Sequence, residues 1–241
     1  MVSDSPTPAP AKASLIEDCI DIWFTPSSVF ARRSGAGWFG PFAVSAVLLA
    51  VLFYASMGSM QAFFDAEVTR AVAAARAENP AITGEQLATM QTVMEKSMQF
   101  GGLIGLPVAL FVLGFGVWLA SRLLGGVLSL GGGIMVASFA YLPRALEMLL
   151  VIVQGMVLDT STWAGRYKYS WGVGRFMEPG ETQGLYNLIG RVDAFTIWVT
   201  ILIALGLIHA AKVEKTKAFA GAAVVWVLGA IPAIIQLATG K

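Results

Sequence analysis

The sequence predicts an all-α fold: a polytopic membrane helical bundle with five transmembrane helices, an N-terminal interfacial amphipathic helix and an extramembrane helical hairpin. Three observations predict it. Five long apolar stretches, about 42–64, 101–121, 132–158, 194–211 and 218–238, each approach the roughly 20 residues that carry a helix across the hydrocarbon core. The 241 residues are 56% hydrophobic and only 13% charged, against about 25% charged in soluble domains. Mean hydropathy is +0.71, and lipid is the simplest solvent for such a chain.

Composition also excludes function classes. A net charge of +1 gives no whole-molecule field for nucleic acid, so none is expected as a partner. Cys19 is the single cysteine, which rules out an internal disulfide or a multi-thiolate metal site. His209 is the single histidine, which rules out paired-imidazole haem ligation or a His-rich zinc site within one chain. The zinc-protease pattern HExxH and the nucleophile-elbow pattern GxSxG are absent, and no pair of intramembrane aspartates suits a protease. The expectation is a protein that is not an enzyme and needs no cofactor.

Residues 1–13, rich in Pro, Ala, Ser and Thr, are expected to be a disordered tail, followed by one membrane domain over 14–241. The N-terminus has no apolar h-region, so the first span is expected to act as an uncleaved insertion signal. Leu15, Ile16, Cys19, Ile20, Trp23 and Phe24 recur at helical spacing, with Glu17, Asp18 and Asp21 on the other side. This helix suits the membrane interface, packed on the protein's own cytoplasmic face, and Thr25-Pro26 breaks it. Arg32 and Arg33, then Trp38, mark an ordinary membrane boundary before span one.

The polar stretch Asp65–Gln99 reads as the hairpin. Its first arm extends span one until Asn79-Pro80, and Thr83 with Gln86 makes a capping box that opens the second arm. Leu87, Met90, Met94 and Met98 form that arm's apolar stripe. The stripe is a candidate partner surface, adaptable because methionine is; packing within the hairpin is the more economical reading. Span two carries Gly101, Gly105, Gly114 and Gly116, small residues that let helix backbones approach in lipid. Residues 122–133 make a glycine-rich turn without the terminal Lys-Ser/Thr of a phosphate loop. The loop 159–193 alternates aromatics and bases between Trp163 and Phe176, a pattern that can stack nucleobases or grip headgroups and that an interfacial aromatic belt explains more simply.

Tyr141, Arg144 and Glu147 lie inside the third stretch. Arg144 and Glu147 are three residues apart, share a helix face and can pair. Two readings stay open for this candidate intramembrane polar site. It can hold an ion, a proton or a lipid headgroup, or it can be a self-neutralised pair that locks span three beside a Pro143 kink. Five spans put the termini on opposite sides, and basic residues divide eight against eight. The three lysines in the tight turn 212–217 and the abutting Arg32-Arg33 favour a cytoplasmic N-terminus.

The order of these features resembles a family. A short amphipathic helix ending in Pro26 and Phe30 leads through basic residues to Gly37-Trp38. A Gly-Gly turn, Tyr141-x-Pro143, Asp193-Ala-Phe-Thr-Ile-Trp198 and a lysine-rich turn follow. Over about 14–238 the chain resembles the bacterial branch of the Yip family, the Ypt/Rab-interacting five-span membrane proteins. The resemblance implies five spans with a cytosolic N-terminus in a bacterial inner membrane. Eukaryotic members bind prenylated Rab-type GTPases and carry an acidic Asp-Leu-Tyr-Gly-Pro motif that this chain lacks. The expected role is a scaffold, membrane organiser or accessory subunit. Its expected partners are membrane lipids, a protein partner or further copies of itself. The alternative is a transporter or channel for a small molecule, ion or lipid built around Arg144 and Glu147.

Overall fold

The computed structural model describes residues 13–178 and 183–239, so all but Ala13 of the expected tail lies outside it. Ten helices are present among the described residues: α1 (Leu15–Asp21), α2 (Pro26–Arg32), α3 (Phe39–Ser56), α4 (Gln61–Glu78), α5 (Gly84–Leu123), α6 (Leu130–Ala140), α7 (Pro143–Val157), α8 (Gln183–Ile189), α9 (Ala194–His209) and α10 (Lys215–Thr239). None of these residues forms a sheet; Gly172 and Asp193 make one isolated antiparallel bridge. Four helical segments are long and apolar enough to cross a membrane: α3, α5, the α6–α7 pair and α10. The fifth apolar helix, α9, is shorter at 16 residues. This is the expected five-helix polytopic bundle.

The α6–α7 pair is the centre of the bundle. Half of its apolar window is buried, against a third or less for the other three long spans. It packs against α3, α5 and α9, and α10 closes the ring against α5 and α9. In lipid the contact between helices has to come from close packing, and glycine supplies it at the α5–α6 crossing. A β-carbon built on Gly114 would lie 2.7 Å from Ile134 Cα, and one on Gly133 would lie 2.8 Å from Trp118 Cβ. Gly101 and Gly105 have nothing within 4 Å at the same position, so these two of the span-two glycines face outward. A buried hydrogen bond from Ser45 Oγ to the Ser138 carbonyl, 3.0 Å, ties α3 to α6. At the end of α5 the chain reverses through Gly125, whose φ of +78° suits glycine.

Two boundaries differ from the sequence expectation. Span one stops at Ser56, not Phe64, because a 3₁₀ turn at Gly58–Met60 redirects the chain before α4. Glycine weakens the helix there, and neighbours hold the turn. Thr160 Oγ1 donates to the Ser59 carbonyl at 3.3 Å, and Gly155 on α7 leaves room for Ser59. The second hairpin arm does not end at Gln99. The capping box forms as expected, with Thr83 N donating to Gln86 Oε1 at 2.9 Å and Gln86 N to Thr83 Oγ1 at 3.3 Å. From there α5 runs 40 residues without a break into span two. Its length is about 60 Å at 1.5 Å per residue, twice a hydrocarbon core of about 30 Å.

The N-terminal helices lie on the opposite face from the hairpin, where α2 packs on α9. Ser14 and Glu17 make a reciprocal capping box that starts α1. The expected apolar stripe divides in two. Ile22, Val29 and Phe30 are buried, with Leu15, Cys19 and Trp23 packed against the same core, while Ile16, Ile20 and Phe24 point outward. The apolar arc is wider than one contact face, so its outer half remains for the interface. Asp18, expected on the polar outer side, is fully buried and ion-paired with both Arg32 and Arg33. Arg32 also reaches Asp21 at 2.5 Å. Burial, and then the Asp18 carboxylate, raise the Cys19 thiol pKa.

The two glycine environments in α5 predict opposite responses. Gly114→Ala is expected to lower stability in bicelles by about 1–3 kcal/mol through overpacking against the α6 backbone. Gly105→Ala is expected to stay within about 0.5 kcal/mol of the parent. Equal effects in a denaturant titration of the two variants would contradict the packing described.

Candidate functional site

The site grows from the break in span three. Pro143 has no N–H to donate to a preceding turn, so the helix stops at Ala140 and restarts with Pro143 in its first turn. Arg144 N and Ala145 N bond back three residues, to Tyr141 O at 3.0 Å and Leu142 O at 2.8 Å. This tight joint places Tyr141, Arg144 and Glu147 on one side of the bundle, near the middle of the segment Leu130–Val157.

Arg144 is the hub. Its Nη1 bonds to Glu147 Oε2 and its Nη2 to Thr196 Oγ1 on α9. Nη1 also lies 3.6 Å from Asp193 Oδ1, and the guanidinium sits 6.0 Å from the Tyr141 ring centre. Asp193 caps α9: its Oδ1 accepts from Phe195 N and Thr196 N, each at 2.9 Å, and its Oδ2 from Thr196 Oγ1 at 2.5 Å. Tyr141, Arg144 and Glu147 thus lie together, and Asp193 and Thr196, which the sequence reading did not place at this site, join them. The Asp-x-x-Thr spacing at the head of an apolar run was a legible cap signal. Its meeting with Arg144, 52 residues away for Thr196, was not.

These groups border a cavity of about 570 Å³, within the range of about 300–1,000 Å³ usual for small-molecule sites. Its inner part is apolar, with Leu106, Leu113, Val199, Ile203 and Val225; its outer part holds Arg166, Tyr167 and Arg191. The loop 159–193 therefore does more than decorate the interface. Tyr167 stacks edge-on to Tyr186 with centroids 5.0 Å apart and donates from its hydroxyl to Asn187 O at 3.2 Å. Gln154, buried on α7, accepts from Arg175 at 2.6 Å, and Arg175 also covers Trp163 at 4.9 Å. Trp171 and Phe176 stay exposed in the manner of an interfacial belt.

The other singled-out residues lie elsewhere. Leu87 is buried on the outer arm of α5, and Met90, Met94 and Met98 are half-buried along the same line, while most of their neighbours are exposed. With α4 packed on α5, this stripe is the covered face of the hairpin. His209 ends α9 at the far side of the bundle from Arg144. Among the described residues no three His, Cys, Asp or Glu side chains stand close enough to hold a metal ion.

A charge removed singly from this cluster leaves its partners unpaired in a low dielectric. Arg144→Leu is expected to destabilise the protein by about 3–5 kcal/mol, and adding Glu147→Leu should recover part of that loss. A double variant less stable than the single one in the same titration would show that the pair does not neutralise itself.

The sequence matches the Yip1 domain family over residues 20–235. It is also similar to the membrane protein YknW of Bacillus subtilis (strain 168), with 25% identity over 145 residues. That alignment covers 60% of this chain and 60% of the relative. No solved structure matches. The chain belongs to the Yip1 family.

Proposed function

We propose that this Yip1-family membrane protein is a non-enzymatic scaffold or accessory subunit of a membrane complex, presenting its hairpin to a protein partner. The observation that carries the reading is the unbroken 40-residue α5. Roughly half of a 60 Å helix has to stand outside the bilayer, stiffened by α4 along one side. The rest of the arm is open, and an apolar strip with Val93, Phe100 and Ile104 exposed continues from the arm into the span. Such a surface suits contact with another membrane protein, or with a second copy of this chain. The polar cluster supports the same reading: Arg144 pairs with Glu147 and lies beside Asp193, contacts that suit a structural joint.

The location that fits is a bacterial inner membrane with the N-terminus cytoplasmic. Lys212, Lys215 and Lys217 crowd the turn before and into α10, on the face that carries α1 and α2. Arg32 and Arg33, ion-paired with Asp18 and Asp21, stand on the same face. A second reading, transport of a small molecule, ion or lipid, draws on the cavity beside Arg144 and Glu147.

The test is affinity purification from native membranes in gentle detergent, read by mass spectrometry. Replacing 79–98 by a short linker, or introducing Val93→Asp alone, is expected to remove a stoichiometric protein partner; Glu147→Gln should retain it. Loss of flux in Glu147→Gln at unchanged abundance, with no partner lost from the arm variants, would favour transport instead.

A further inference from the structure

The cavity contains a cation that nothing among the described residues neutralises. Arg191 closes the loop just before α9, with its Nε buried and unbonded and no carboxylate within ion-pair distance among the described residues. What holds it is apolar: its guanidinium lies 6.0 Å from the Trp226 ring centre on α10. Gly229, one turn further on, leaves it room. A β-carbon built there would lie 2.8 Å from Arg191 Nη2. Two other bases of this loop have side-chain partners, Lys168 in Glu178 and Arg175 in Gln154. Arg166, at the same cavity, has no acid partner among the described residues either and rests on Tyr167 at 5.8 Å.

The lining thus carries Arg144, Arg166 and Arg191 against Glu147 and Asp193. Both carboxylates already receive donors from Arg144, Thr196 or the α9 backbone. The buried Nε of Arg191 lacks a hydrogen-bond acceptor among the described residues, and a planar fork of donors fits a tetrahedral oxyanion. The apolar depth below it fits hydrocarbon. We infer that this cavity binds a phosphate-bearing anion, held by Arg191 with Arg166 at the mouth. The phosphate is that of a lipid headgroup whose chain enters the apolar part, or of a free solute. The root of the hairpin also lines this cavity, through Phe63 and Phe64 of α4, but the inference does not rest on the partner reading.

The test uses the full chain in nanodiscs of phosphatidylcholine doped with phosphatidylglycerol, read by native mass spectrometry. A parallel arm follows thermal unfolding in phosphatidylcholine alone with added inorganic phosphate. Phosphatidylglycerol should be enriched on the parent protein and fall about tenfold in Arg191→Gln, the loss of one charge-assisted contact. Gly229→Ala should give the same fall by displacing the guanidinium, while alanine favours the helix and keeps the fold. Stabilisation by inorganic phosphate that depends on Arg191, without lipid enrichment, would support the same site with a soluble source. Equal lipid retention by parent and both variants, or no response to either phosphate probe, would overturn the inference.

Discussion

A guanidinium near the middle of a membrane span has to be neutralised where it stands, and the architecture of this bundle follows from how Arg144 achieves it. Charged groups in the hydrocarbon are tolerated when they face the bundle interior and meet partners there. Glu147 is supplied by the same helix one turn on, and Thr196 and Asp193 by α9. The second set brings α9 against α7 and fixes where α9 begins. Its 16 residues cover about 24 Å, short of the roughly 30 Å core. The polypeptide before Asp193 therefore turns inward to reach the start of the helix. An irregular backbone at that level is permissible because it lines protein and a cavity, away from lipid. The Pro143 joint places this charge, and the short fourth span and the folded-in loop follow from the charge and its partners.

The two ends of the molecule use different physics. On the α1–α2 face, Asp18 is fully buried between Arg32 and Arg33, and the pairs anchor two short helices that neither length nor propensity would hold alone. On the other face the hairpin relies on continuity. A helix already fixed in the bilayer by α3, α6 and α10 continues outward with no new nucleation. Small residues at Gly114 and Gly133 bring the α5 and α6 backbones close together and so give the arm a firm base.

The membrane bundle was legible because hydropathy is a local property. The Pro143 break, the Arg144–Glu147 pair and the Thr83 capping box were legible because each spans four residues or fewer. The misses all depend on partners distant in sequence. Asp18 sits among charged residues and reads as solvent-facing, yet the arginines that bury it are 14 and 15 residues away. Span one ends early because of Ser59, whose contacts lie on α7 and beyond, over 90 residues away. The sequence marked Gly101, Gly105, Gly114 and Gly116 alike, while only Gly114 of these meets the α6 backbone, a distinction that the crossing geometry makes. The basic and aromatic residues of the 159–193 loop were visible as a composition. That Arg191 turns inward and lacks a carboxylate among the described residues was not.

The claim at the centre of this structure is that Arg144 joins span three to span four. A double-mutant cycle between Arg144→Leu and Thr196→Val, with unfolding followed in bicelles, measures that connection directly. A coupling energy above about 1 kcal/mol is expected of residues sharing one network. Additivity within about 0.3–0.5 kcal/mol, the behaviour of independent sites, would mean that Arg144 does not hold α9 in place.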